Sequence, residues 1–146
     1  MRVLLTGASG YCGQFVSDAL LQQRHEVFCC YRTAPAACSG LHQGATAVEL
    51  DLTDAASCES CLSTARPDVI LNFAAVSSPV QCEKEPLSSL AINCPSAFFA
   101  AASKLCSRAL FVQISTDQAS KRRPSSKVYT MRLNWPVMLT AASAGF

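Results

Sequence analysis

Apolar residues recur along this chain in two alternating rhythms: short unbroken runs, and longer stretches with helical spacing. The run at residues 2–5 predicts a short buried strand, with a turn over 6–10. Residues 11–23 carry Phe15, Val16, Ala19 and Leu20 at helical spacing, so a helix with those four on one face is expected. β-branched and aromatic residues at 26–31 predict a second strand, and the Pro-, Ala-, Ser- and Gly-rich stretch 33–44 a loop. A third strand is expected at 47–50, then a helix over 54–65 with Thr53 as its N-cap, ended by Arg66-Pro67-Asp68. A continuous apolar run at 69–73 predicts strand four. The stretch 76–86 reads as a loop, 87–105 as one long helix bent at Pro95, and 109–114 as strand five.

Strands apolar on both faces, alternating with helices, need helices on both sides of a parallel sheet. Right-handed crossovers then make the sheet doubly wound, and the expected fold class is α/β. From residue 119 the rhythm is lost. Lys121, Arg122, Arg123, Pro124, Ser125, Ser126 and Lys127 form a basic run that reads as a solvated loop. A strand-like stretch at 128–133 and an apolar end without a cap follow. The expected organisation is a dinucleotide-binding domain over 1–118 and a divergent tail over 119–146, with the sheet cut short after strand five or six.

Composition narrows the class without changing this picture. A chain of 146 residues is about one domain, able to bury roughly 70% of its unfolded surface. Half of it is hydrophobic, 15% is charged, and a net charge of +2 is too mild to argue for nucleic acid. Met1 and Arg2 lead straight into an apolar run that a glycine turn breaks too early for a signal peptide. No apolar run approaches the roughly 18 residues of a membrane helix, so a soluble, cytoplasmic protein is expected; the oligomeric state is left open. The nine cysteines are odd in number and scattered through predicted helices and strands, which suits reduced thiols used as small hydrophobes. Cys58 and Cys61 make a C-x-x-C with no second pair at metal-ligand spacing, so no metal is expected.

Candidate chemistry starts at Thr6-Gly7-Ala8-Ser9-Gly10-Tyr11-Cys12-Gly13, whose glycines have G-x-x-G-x-x-G spacing. In a dinucleotide-binding turn the first glycine makes the tight bend, the second admits a pyrophosphate, and the third lets helix and strand pack closely. The helix that follows offers unpaired N–H groups and partial positive charge to phosphate. Cofactor contacts are therefore expected from Gly7, Ser9, Gly10, Tyr11, Cys12 and Gly13. At the end of strand two an acid would bind a ribose 2′-hydroxyl, whereas an arginine accommodates a 2′-phosphate. The strand ends Tyr31-Arg32 without an acid, which favours NADP over NAD; a solvated surface arginine is the alternative.

The glycine turn, Asp51-Leu52 after strand three, Asn72-Phe73-Ala74-Ala75 after strand four and Ile114-Ser115-Thr116-Asp117 after strand five together resemble the extended short-chain dehydrogenase/reductases. Ala74-Ala75, Cys82-Glu83, Glu85-Pro86 and Asn93 are similar to the dTDP-4-dehydrorhamnose reductase family. They are similar too to its non-catalytic relative, the regulatory beta subunit of methionine adenosyltransferase. The resemblance runs from Met1 to about Gln118 and implies a Rossmann NAD(P)-binding fold. It implies that Asp51 and Leu52 flank the adenine, and that Ala74 and Ala75 line the path of the nicotinamide ribose. It also implies that Asn93 lies near the catalytic residues, and that Thr116, with Ser115 beside it, hydrogen-bonds a nucleotide-sugar substrate. For Thr116, a strand-end hydroxyl bonded to local backbone is the alternative. The family's proton donor is Y-x-x-x-K, and this chain lacks it: Tyr129 is followed at the fourth position by Leu133. The resemblance thus leads to the expectation of an NADP-binding half of a sugar reductase, inactive as a truncated or frame-shifted product. The alternative is a non-catalytic regulatory module.

Overall fold

The apolar runs at the start of the chain and at 26–31 pair side by side in parallel, Val3 against Val27 and Leu5 against Cys29. The structure, a computed structural model, describes residues 1–32 and 43–114, and the backbone of 128–132. In chain order the elements are β1 (Arg2–Thr6), α1 (Tyr11–Gln22), β2 (Glu26–Tyr31), β3 (Thr46–Glu49), α2 (Ala55–Ala65) and β4 (Val69–Asn72). They continue with α3 (Pro79–Lys84), α4 (Pro86–Asn93), α5 (Ser96–Leu105), β5 (Leu110–Ile114) and β6 (Val128–Arg132). The strand order is β3-β2-β1-β4-β5-β6. The first five strands are parallel, as the doubly wound reading expects.

The sixth strand departs from that reading: it runs antiparallel to β5, with Leu110 opposite Arg132 and Ile114 opposite Val128. A parallel neighbour needs a crossover of a dozen or more residues, usually a helix, whereas an antiparallel one needs only a return. The polar, basic stretch after β5 has no helical pattern to supply the crossover.

Two apolar layers sandwich the sheet. On one face α2 and α5 pack Cys58, Leu62, Phe98 and Ala102 against Leu4, Phe28, Ile70 and Phe111. On the other, α1 covers Leu5, Val27 and Cys29 with Val16, Leu20 and Leu21. The buried positions of α1 are Gly13 and Ser17, while Phe15 is 63% exposed and stacks edge-on against Tyr11 at 5.2 Å. The helix is therefore rotated from the expected face, because the glycine that approaches β1 most closely fixes which side turns inward.

Three local boundaries also differ. The N-cap of α2 is Asp54, whose carboxylate accepts from the N–H groups of Ala56 and Ser57; Thr53 is held by Asp51 instead. Part of the expected loop 76–86 is the short helix α3, capped by Ser78 with Pro79 in its first turn. The expected long helix is two. Cys94 N–H still donates to Leu90, but Pro95 has no N–H to continue, and α5 restarts with Phe99 N–H bonded to Pro95.

Candidate functional site

The carboxyl ends of β1, β2, β3 and β4 border a cleft of about 760 Å³, where ligands of open α/β sheets bind. Its floor is the turn after β1. Gly7 has φ +67°, a left-handed backbone that suits glycine, and a Cβ there would lie 2.7 Å from Ala74 N. At Gly13 a Cβ would lie 2.2 Å from the carbonyl oxygen of Gly7, so nothing larger than hydrogen fits between α1 and the turn. Gly10 N–H donates to the Gly7 carbonyl at 3.0 Å and closes the turn.

Gly10 is the N-cap of α1, no described side chain caps the helix, and its first turn carries no acid. The first N–H groups of a helix have no partner within it, and here nothing negative competes for them. This cradle, too tight for a side chain and uncapped at the helix end, has the donors a pyrophosphate requires. The residues present therefore fit a dinucleotide.

The opposite wall is built by the ends of β2 and β3, tied where Leu50 N–H donates to the Tyr31 carbonyl at 2.8 Å. Asp51 accepts from the N–H of Thr53 at 2.8 Å and its hydroxyl at 2.6 Å. Those two bonds hold the Asp51 carboxyl below its ordinary range against some desolvation, with a smaller contribution from the charge of Arg32. Asp51 is thus committed to its own turn, and the exposed Arg32 is the cation of this wall.

The third wall is the segment after β4, anchored from below. Thr6 Oγ1 donates to Asn72 Oδ1 and accepts from Ala74 N–H at 3.1 Å. Asn72 Nδ2 donates to Gln113 Oε1 at 2.7 Å, so the buried Thr6 and Asn72 and the half-buried Gln113 link β1, β4 and β5. Farther out, Asn93 clamps Val76 with both ends of its amide, Oδ1 accepting from Val76 N–H at 2.8 Å and Nδ2 donating to its carbonyl at 3.2 Å.

Of the residues expected at the site, Gly7, Ser9, Arg32, Asp51, Leu52, Ala74 and Ala75 line the cleft together. Gly10 and Gly13 shape the turn beneath it. Tyr11 and Cys12 are exposed in the first turn of α1 and do not line it. Asn93 does not line it either, and supports the wall through Val76. Ser115 and Thr116 lie outside the described residues, as does the basic run. Sequence reasoning missed Thr6, Thr53 and the α4 residues Leu87 and Ala91 that close the cleft. The helix expected over 87–105 includes α4, but its spacing alone did not show that Leu87 and Ala91 face the cleft. Among the described residues no helix is long and apolar enough to cross a membrane.

Residues 3–131 match the family model described as the NAD dependent epimerase/dehydratase family. That match extends past Gln118 into β6. A dTDP-4-dehydrorhamnose reductase of Streptomyces griseus is 33% identical over 116 residues, 80% of this chain and 33% of that protein. The spore coat polysaccharide biosynthesis protein SpsK of Bacillus subtilis (strain 168) is 30% identical over 116 residues, 80% of this chain and 36% of its own. The chain therefore spans about a third of the length of these curated relatives. A UDP-glucose 4-epimerase from Stenotrophomonas maltophila, solved with bound NAD and formylated UDP-arabinopyranose, superposes with a TM-score of 0.61 at 26% identity. That superposition covers 72% of this chain and 34% of the epimerase.

Proposed function

The chain belongs to the NAD dependent epimerase/dehydratase family, and on that premise we propose that its cleft holds NADP(H). The observation that carries this reading is the pairing of the Gly7–Gly13 contact with the uncapped N-terminus of α1. The turn and the first N–H groups of α1 would take the pyrophosphate. Leu52 and the Asp51 turn would flank the adenine, Arg32 would meet the 2′-phosphate, and Ala74 and Ala75 would border the nicotinamide ribose. When bound, the cofactor supplies hydride for reduction of a carbonyl.

In the intact parent the substrate is a nucleotide-linked 4-keto sugar, and Thr116, with Ser115 beside it, bonds the reacting oxygen. The 146 residues contain no Y-x-x-x-K. Loss of a general acid costs about 10²–10⁴-fold in rate, so this chain binds the cofactor without turning over the sugar. That missing pair also favours a second reading, a regulatory NADP-binding module like the beta subunit of methionine adenosyltransferase.

Thermal unfolding with NADPH and with NADH tests the binding. A ligand at a hundred times its Kd stabilises by about 2.7 kcal/mol. NADPH should raise Tm at lower concentration than NADH, and Arg32→Ala should erase that difference. No shift with either would overturn the proposal, and turnover of a dTDP-4-keto sugar at an ordinary rate would overturn the inactivity.

A further inference from the structure

Thiols from three elements share one core cluster on one face of the sheet: Cys30 of β2, which borders the cleft, Cys58 and Cys61 of α2, and, packed against them, Cys106 at the end of α5. None is bridged. Cys30 and Cys61, 31 residues apart, touch directly, Sγ to Sγ at 3.8 Å in an S–H···S bond, and both are buried. We propose that Cys30 and Cys61 form a redox-active dithiol that hydrogen peroxide converts to an intramolecular disulfide tying β2 to α2.

The neighbouring thiols are engaged differently. Cys58 donates to the Asp51 carbonyl at 3.4 Å, and burial pushes it up to about 11. Burial also raises Cys106. Between Cys30 and Cys61 either sulfur can donate, and that shared bond favours a thiolate on one member of the pair, while burial opposes charge on both. Thiolate character selects which thiol oxidises; either sulfur of the pair can begin the reaction, and the step balances in the same way from both. Where Cys61 begins, its sulfur attacks one peroxide oxygen, the O–O bond breaks, and Cys61 sulfenic acid and water form. Cys30 sulfur then displaces hydroxide from that sulfenic acid, and the Cys30 proton leaves with it as a second water. Two thiols and one peroxide become one disulfide and two waters. The sulfurs close from 3.8 Å to about 2.0 Å, a side-chain-scale movement. Peroxide has a route to the pair through Cys30, which borders the cleft and touches Cys61.

The test uses the reduced full chain, exposed to hydrogen peroxide, alkylated and peptide-mapped by mass spectrometry. The expected product is a peptide pair joined through Cys30 and Cys61, two hydrogens lighter than its parts and reversed by dithiothreitol. It should be lost in Cys61→Ser and kept in Cys58→Ser. Recovery of Cys30 and Cys61 as alkylated thiols once the exposed Cys12 has oxidised would overturn the proposal, and so would a Cys58–Cys61 bridge. This map is read on the unsubstituted protein, so a variant that fails to fold leaves it decisive. A second arm rests on the NADP(H) reading: bound NADPH should slow the cross-link several-fold by covering Cys30. Binding seen by thermal shift without slower oxidation overturns that shielding; no binding overturns the function proposed above and leaves the dithiol on its peptide map.

Discussion

At the scale of single residues the glycine turn is the most constrained part of the molecule. A methyl at Gly13 would face the Gly7 carbonyl at 2.2 Å and the Ala8 Cα at 2.8 Å, backbone on both counts. Neither atom can rotate away, so α1 must lift from the turn. Gly13→Ala should therefore cost at least the overpacking penalty of about 1–3 kcal/mol, read as a lower urea midpoint at unchanged slope. An unchanged midpoint would mean that the helix moves without cost. Asp51 carries the pH dependence of the site. Its folded pKa lies below the unfolded value because Thr53 bonds the ionised form first and Arg32 adds to it. The contribution to stability is thus present above the ordinary carboxylate range and is lost as pH falls through the folded value. Urea midpoints measured down the acid range should fall less steeply for Asp51→Asn than for the unsubstituted chain; parallel slopes would assign the acid loss elsewhere.

At the scale of elements, caps decide more than hydrophobic spacing does. Asp54 satisfies two N–H groups at the start of α2, so Asp54→Ala should cost about 1 kcal/mol, and Thr53→Ala should act instead by loosening Asp51. Circular dichroism through thermal unfolding separates the two, because only the first should fray α2. Thr53, the N-cap expected from the sequence, and Asp54, the N-cap observed, are adjacent residues of types that both cap helices. What separates them is the turn at Asp51, which consumes the Thr53 N–H and hydroxyl. Elsewhere the missing information was local and legible: Ser78-Pro79 is an N-cap followed by proline in the first turn, and Pro95 is a break rather than a bend. The exposed Phe15 was not legible. Helical periodicity cannot tell which of two apolar stripes faces the sheet, and the Gly13 contact that settles it is tertiary.

For the molecule as a whole, β1, β2 and β4 were readable as unbroken apolar runs, β3 and β5 as apolar stretches interrupted only by Glu49 and Gln113, and the cleft followed from where those stretches end. The antiparallel β6 and the route of Asn93 to Val76 depend on long-range pairing that no local pattern encodes. The two faces of the sheet also differ in weight. The α2/α5 side buries a cluster with Phe98 and Phe111 at its centre, whereas the α1 side buries a smaller set flanked by half-buried Val16 and Leu20. Phe111 is fully buried, its ring 4.4 Å from that of Phe99 and 6.0 Å from that of Phe98, on the strand that pairs with both β4 and β6. Phe111→Ala should cost about 3–5 kcal/mol, against a total stability of about 5–15 kcal/mol for a domain of this kind. Leu20→Ala removes half as many carbons as Phe111→Ala, and from a half-buried site, so its cost should be less than half as large. The comparison is made by urea unfolding of both variants, taken at equal slope. If Leu20→Ala proves as costly as Phe111→Ala, the two layers are energetically equal and the α1 face carries the fold as much as the aromatic one.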